Sequence, residues 1–239
     1  MKKIVTVFLL SAFLLFFLLT GTGCASVPTT TGSPTAEPSK PDVVSQATLK
    51  RYRTGEVQEF QGKFLSPAVG PRDNSISGVQ YVDIADYILK IDGLVDQPIQ
   101  MSYDEVKALT AYERLITLHC VEGWDATILW QGILIEELLN KAGIRPDAVM
   151  VIFHAADGYT TSMPLATVKE RQLILAYMSN GLPLPPEMGF PFIVVAEDKL
   201  GYKWARWVTR IELSSDANYR GYWEQVGYNN DAEVPENRR

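Results

Sequence analysis

The sequence predicts an α+β domain, on three observations. Short apolar runs of strand length are interleaved with short amphipathic stretches. Turn-forming clusters such as Pro71-Arg72-Asp73-Asn74-Ser75 divide them. Neither a Rossmann or P-loop glycine signature nor a repeat of solenoid period is present. The 239 residues, 46% hydrophobic and 21% charged, suit one globular domain of moderate size with attachments. A core of that size stands without disulfides. The net charge of -6 argues against a nucleic-acid partner, because phosphate binding needs a basic surface.

Taken in order, Met1-Lys2-Lys3 and the apolar run Ile4 to Leu19 read as an export signal over residues 1–23. The small residues before Cys24 are similar to those of a bacterial lipoprotein signal, with Gly21 where a leucine is usual. That likeness implies cleavage before Cys24 and a lipid on its thiol; the alternative is an uncleaved anchor. Either puts the domain outside the cytoplasm, beside the membrane. Residues 24–63 read as a Thr-, Pro- and Ser-rich flexible tether and an N-terminal arm, with a first strand or extended segment from Ala47. Residues 64–228 form the domain and 229–239 a polar tail.

Within the domain, Tyr87 to Val95 is a strand entering a turn, and Ser102-Tyr103-Asp104-Glu105 is a capping box opening a short helix through Leu109. Leu115 to Leu118 is a short buried strand, Ile133 to Ala142 a helix stopped by Gly143 with Gln131 near its cap, and Val149 to Phe153 a strand delivering His154. The turn Asp157-Gly158 then presents Tyr159, whose hydroxyl is a candidate to face a pocket.

Reactive side chains concentrate in Thr117-Leu118-His119-Cys120-Val121-Glu122-Gly123-Trp124. Cys120, at a strand end beside His119, reads as a small buried hydrophobe, a nucleophile, or a soft metal ligand. The lack of a second nearby cysteine and of a Cys-x-x-Cys or His-x-x-x-His spacing argues against a four-ligand zinc site. If Cys24 carries lipid, Cys120 has no disulfide partner. From Lys199 to Arg210, basic residues interleave with aromatics around Gly201, a composition suited to an anion. Lys203 and Arg206 reach one phosphate only if the turn extends to about Trp204, since a straight strand would point them to opposite faces.

Cys120-Val121-Glu122-Gly123-Trp124 with Ile128-Leu129-Trp130-Gln131-Gly132 resembles the molybdopterin-binding domain of the sulfite oxidase family, especially its bacterial methionine sulfoxide reductase branch. The likeness continues collinearly through Ile91-Asp92-Gly93, Asp157-Gly158-Tyr159, Leu182-Pro183-Leu184-Pro185 and Gly201-Tyr202-Lys203 to Trp207-Val208-Thr209. The resemblance implies the sulfite oxidase fold, a molybdenum–molybdopterin cofactor, and Cys120 as the protein's ligand to molybdenum. His119, Asn74, Lys203 and Arg206 are then cofactor-binding candidates, and Tyr159 a catalytic one. It further implies a small-molecule substrate and a separate redox partner protein. Met188 and Ile193 stand where many relatives carry a histidine or asparagine and an arginine, which favours a neutral oxide such as a sulfoxide over sulfite. Two alternatives stay open. One is a lipid-anchored binding module that keeps the fold without the cofactor, suggested by the lack of a twin-arginine pair after Met1. The other is a metal-free thiol enzyme.

Overall fold

The structure is a computed structural model and describes residues 44–70, 72 and 74–239. The export signal, Cys24 and most of the tether lie outside the described residues. In chain order the elements are α1 (Gln46–Gly55), β1 (Glu59–Phe60), β2 (Lys63–Phe64), β3 (Ile88–Gly93), β4 (Ile99–Ser102), α2 (Tyr103–Lys107), β5 (Ala111–His119), β6 (Asp125–Leu134) and α3 (Ile135–Ala142). They continue with β7 (Met150–Ala155), β8 (Thr160–Pro164), α4 (Leu165–Glu170), β9 (Ile174–Ser179), β10 (Leu182–Pro183), β11 (Ile193–Val195), β12 (Val208–Ser214) and α5 (Tyr222–Gln225). The expected α+β class holds.

Two five-stranded sheets carry the fold. One runs β10-β9-β6-β5, with β11 also paired to β9; the other runs β4-β3-β12-β7-β8, antiparallel except between β3 and β12. Trp130, Ile133, Phe153, Phe192, Val194 and Ile211 are fully buried and belong to one continuous core. Gly132 marks a register shift between β6 and β9, where an added Cβ would stand 2.2 Å from the Leu175 carbonyl oxygen. The capping box at α2 is present in full: Ser102 Oγ accepts from the Glu105 N–H while the Glu105 carboxylate accepts from the Ser102 N–H.

Four local expectations are corrected. The strand at Leu115 to Leu118 is the end of a nine-residue strand, because the apolar run pairs along its length with β6. Residues Ile133 and Leu134 belong to β6, not to the following helix, and Gln131 is a strand residue rather than a cap. The arm from Ala47 opens as a helix rather than a strand, with only the two-residue β1 and β2 after it: Ser45 caps α1 by accepting from the Thr48 N–H, and the buried Glu56 carboxylate beyond it accepts from Asn180 Nδ2 and the Ala68 N–H, each at 3.0 Å. The polar tail is folded. Ala232 and Val234 are buried, and Leu200 N–H donates to the Ala232 carbonyl at 2.8 Å.

Candidate functional site

Strands β5 and β6 are in register from Ala111 opposite Ile133 to His119 opposite Asp125, so residues 120–124 must reverse the chain. Cys120 N–H donates to the Trp124 carbonyl at 2.9 Å and Gly123 N–H to the Cys120 carbonyl at 3.1 Å. Gly123 has φ +93°, a conformation that a side chain would strain. Cys120 is a buried free thiol whose Sγ makes a long 3.9 Å contact to Glu122 Oε2. That oxygen also accepts from Trp124 Nε1 at 2.9 Å and from Asn74 Nδ2 at 3.5 Å. Asn74, in the left-handed region at φ +52°, therefore comes to the cysteine turn across 48 residues of chain. His119 points its Nδ1 to Asp125 Oδ1 at 2.7 Å, beneath the turn.

Burial pushes the Cys120 thiol up, as does the Glu122 carboxylate, against the opposing pull of the Glu122 backbone N–H and the Arg238 charge. A thiol in that state is a poor nucleophile by itself and ionises readily only against a cation.

The second turn of the site is the 3₁₀ turn Gly201–Lys203, capped at Trp204. His119 bridges to Leu200 in parallel, and the bare Cα of Gly201 faces Cys120, to whose Cα an added Cβ would approach within 3.8 Å. The turn does extend to Trp204, but Lys203 and Arg206 do not converge. Lys203 is wholly buried: its Nζ donates to Glu224 Oε1 at 2.5 Å, to the Ser162 carbonyl at 2.9 Å and to Asn230 Oδ1 at 3.0 Å. An ammonium with its three donors so occupied has none left for a phosphate, which corrects the expected role of Lys203. Arg206 lies outside this knot. Its Nη1 donates to the Glu187 carbonyl, its guanidinium stacks 4.4 Å over the Trp207 ring, and its charge lowers the pKa of both Asp157 and Tyr159 against the larger upward push of burial.

Tyr159 is buried and its hydroxyl donates to the Tyr202 carbonyl. Desolvation, with Glu224 and Asp157 nearby, holds its pKa well above the usual tyrosine value. It is a neutral donor spent on the Gly201 turn, so the structure revises the pocket-facing hydroxyl into a support for that turn. His154 makes a surface knot on the second sheet with Glu212 at 2.9 Å and Arg210 at 3.1 Å, a satisfied structural histidine.

Three contributors were not singled out from sequence. Glu122 lay inside the reactive stretch, and its carboxylate chemistry was the available signal. Glu224, the partner of Lys203, and Arg238, which reaches the cysteine turn, carried none, being 21 and 118 residues from the groups that they hold.

The comparisons name the class of protein that carries these two turns. Residues 76–223 match the family described as Oxidoreductase molybdopterin binding domain, and the chain belongs to that family. It is 38% identical over 160 residues to the uncharacterised oxidoreductase YuiH of Bacillus subtilis, covering 66% of this chain and 80% of that one. It is 35% identical over 151 residues to YedZ1 of Azospira oryzae, which carries the name of a protein-methionine-sulfoxide reductase subunit, covering 63% of this chain and 57% of that one. To the mitochondrial sulfite oxidase of Rattus norvegicus it is 28% identical over 161 residues, covering 55% of this chain and 29% of that one. Among solved structures, the sulfane dehydrogenase SoxCD of Paracoccus pantotrophus shares the fold at a TM-score of 0.58 and 18% identity, over 81% of this chain and 59% of that one.

The fold is thus the sulfite oxidase type, and the cofactor of the family is molybdopterin with molybdenum. The residues present fit it. Among the described residues no cluster of three histidine, cysteine or acidic side chains could hold a metal alone. One soft sulfur beside an open glycine turn suits a metal that brings its other ligands with it.

Proposed function

We propose that this chain is an oxygen-atom-transfer oxidoreductase in which Cys120 supplies the protein's sulfur to molybdenum, with a small neutral oxide such as a sulfoxide as substrate. The observation that carries the reading is Cys120 itself: a free thiol just after β5, its backbone beside Gly201, with Glu122 and Asn74 at the same turn. Bound molybdopterin would supply the redox exchange. The chain's residues would do the rest: Cys120 would hold the metal as a thiolate, Arg206 is the basic side chain suited to the cofactor's anionic end, and the Gly201 backbone would leave room for the cofactor. Asn74 and His119 border the same turn. Reduction of a sulfoxide to a sulfide takes up two protons and two electrons and releases water; the electrons would come from the redox partner, and Glu122, exposed beside Cys120, is suited to pass the protons in from solvent.

A neutral substrate is favoured because Ile193 is buried in β11 and Met188 packs against the core, so neither position offers a charge to an anion. The name of YedZ1 points the same way. The metal-free thiol reading is weakened by the upward shift of the Cys120 thiol. Residues 1–23 and Cys24 would serve as signal and lipid anchor, standing the domain outside the membrane, and a separate redox partner protein would deliver the electrons. Among the described residues no helix is long and apolar enough to cross a membrane.

The test is metal and pterin analysis of the protein from its own host, beside Cys120→Ser. Serine is close in size but stays protonated, so the variant is expected to fold, to lose the thiolate-to-metal absorption, and to lose sulfoxide reduction. A serine variant with the wild-type spectrum and rate would remove Cys120 as ligand. Wild-type protein holding neither metal nor pterin would replace the enzyme with a cofactor-free binding module. A mature N-terminus elsewhere than Cys24, without lipid mass, would remove the anchor.

A further inference from the structure

Residue 238 lies outside the stretch 76–223 that matches the family, yet its side chain closes the cysteine turn. Arg238 Nη1 donates to the Cys120 carbonyl at 3.0 Å, and Nη2 donates to the Trp124 carbonyl at 3.2 Å and to Asp125 Oδ1 at 2.5 Å. These two carbonyls are the acceptors of the turn's own bonds, from Gly123 N–H and Cys120 N–H respectively. One planar fork therefore spans both ends of the loop that carries the thiol. Asp125 passes the contact on to His119, so the charge of Arg238 also fixes the carboxylate that orients the imidazole.

The segment bearing Arg238 is itself anchored. Lys199 Nζ, almost fully buried, donates to the Asp231 carbonyl at 2.8 Å and to Glu233 Oε1 at 2.5 Å. Arg171 reaches the same glutamate, and a bridge pairs Lys199 with Glu233. Leu200 follows Lys199 and bridges to His119, so residues 199–200 link the segment's anchor to the end of β5. Val234 and Ala232, both buried, complete the attachment.

We propose that Arg238 is a positioning residue for the cofactor site, a clamp that holds the Cys120–Trp124 turn, and with it the Cys120 sulfur, in place beside the Gly201 turn. The proposal rests on Cys120 being the metal ligand, but its first test does not. Arginine is required because two carbonyls and a carboxylate need a fork of donors, and a lysine ammonium is a single point.

The experiment compares wild type, Arg238→Ala, Arg238→Lys and Arg239→Ala, all full chains. Arg239 is the control, since its guanidinium goes to Glu233 and the Val234 carbonyl and tests only the anchoring of the segment. In cofactor-free protein, hydrogen exchange at the Cys120 and Gly123 amides should quicken about tenfold or more in Arg238→Ala, as befits loss of charge-assisted bonds to their shared acceptors. The change should be smaller in Arg238→Lys and absent in Arg239→Ala. In loaded protein, the thiolate-to-metal absorption should shift in Arg238→Ala alone among the alanine variants. Unchanged exchange at both amides in Arg238→Ala, or an equal change in Arg239→Ala, would overturn the clamp. Faster exchange with an unmoved absorption would overturn its positioning of the sulfur. A wild type without metal would count against the proposed function instead, and the exchange comparison would still decide the clamp.

Discussion

The two turns that meet at the site are held in opposite ways. The Gly201–Lys203 turn is held from beneath by a desolvated ion pair, Lys203 with Glu224, both fully buried and further bonded to Ser162, Asn230 and Thr161. The Cys120–Trp124 turn is held from its rim by Arg238 and Asp125, charges that retain contact with water. Charges taken out of water depend on each other, whereas rim charges can exchange a protein partner for solvent. The buried turn therefore belongs to the fold and the rim turn to the tuning of the thiol. Glu224 Oε2 is buried without a partner, so the buried knot is not a store of surplus stability. Its value lies in fixing the place of one turn.

The largest expected effect comes from opening that knot. Lys203→Met leaves the Glu224 carboxylate buried and unpaired, and should lower unfolding stability by about 3–5 kcal/mol in urea titration. Lys203, a cofactor-binding candidate by sequence, is in the structure a residue on which the fold depends. Replacing both members, Lys203→Met with Glu224→Leu, should restore most of the loss, since no charge is then stranded. A single variant with wild-type stability would erase the contrast between the two turns.

A smaller effect is expected at the rim. Asp125→Ala removes the partner of both Arg238 and His119, yet should cost at most about 1 kcal/mol of global stability, because the pair is exposed. The same urea titration checks this, and a loss as large as that of Lys203→Met would make the rim turn part of the fold.

The smallest effect is a pH dependence in the segment that carries Arg238. Partial burial would raise the Glu233 carboxyl, but Lys199 and Arg171 outweigh it and hold the group below its ordinary value of 4.5. The folded state then binds fewer protons than the unfolded one, so this contribution is complete above that value and is lost as pH falls through the lowered one. Hydrogen exchange at Leu200 N–H and Val234 N–H, which tie the segment down, should be protected evenly above pH 4.5 and lose protection below it. Glu233→Gln should flatten that response. An unaltered response in this variant would assign it to another carboxylate.

The sequence was most legible where short-range chemistry decides structure. The capping box at Ser102, the turns at Gly123 and Gly158, the stop at Gly143 and the strand leading to Cys120 each depend on residues within a few positions of one another. It was least legible where partners are remote. Helix α1 lacks a strong apolar face and is secured through Glu56 to Asn180, 124 residues away. Lys203 and Arg206 are both basic residues of one segment, and only the burial of Glu224 beneath one of them separates a fold-holding cation from one that stacks on Trp207 outside that knot. Polar composition alone made residues 229–239 a tail, although Val234 is buried and Arg238 clasps the cysteine turn.

The sequence by itself determined the class: a collinear set of motifs around Cys120 implied the molybdopterin-binding fold, and the family match agrees on the fold. Only the tertiary structure decided how the Cys120 turn is held. Cys120, Gly201, Glu224 and Arg238 meet because two sheets close on one core and carry distant turns to the same end. Which charges are desolvated there depends on packing that no local pattern encodes.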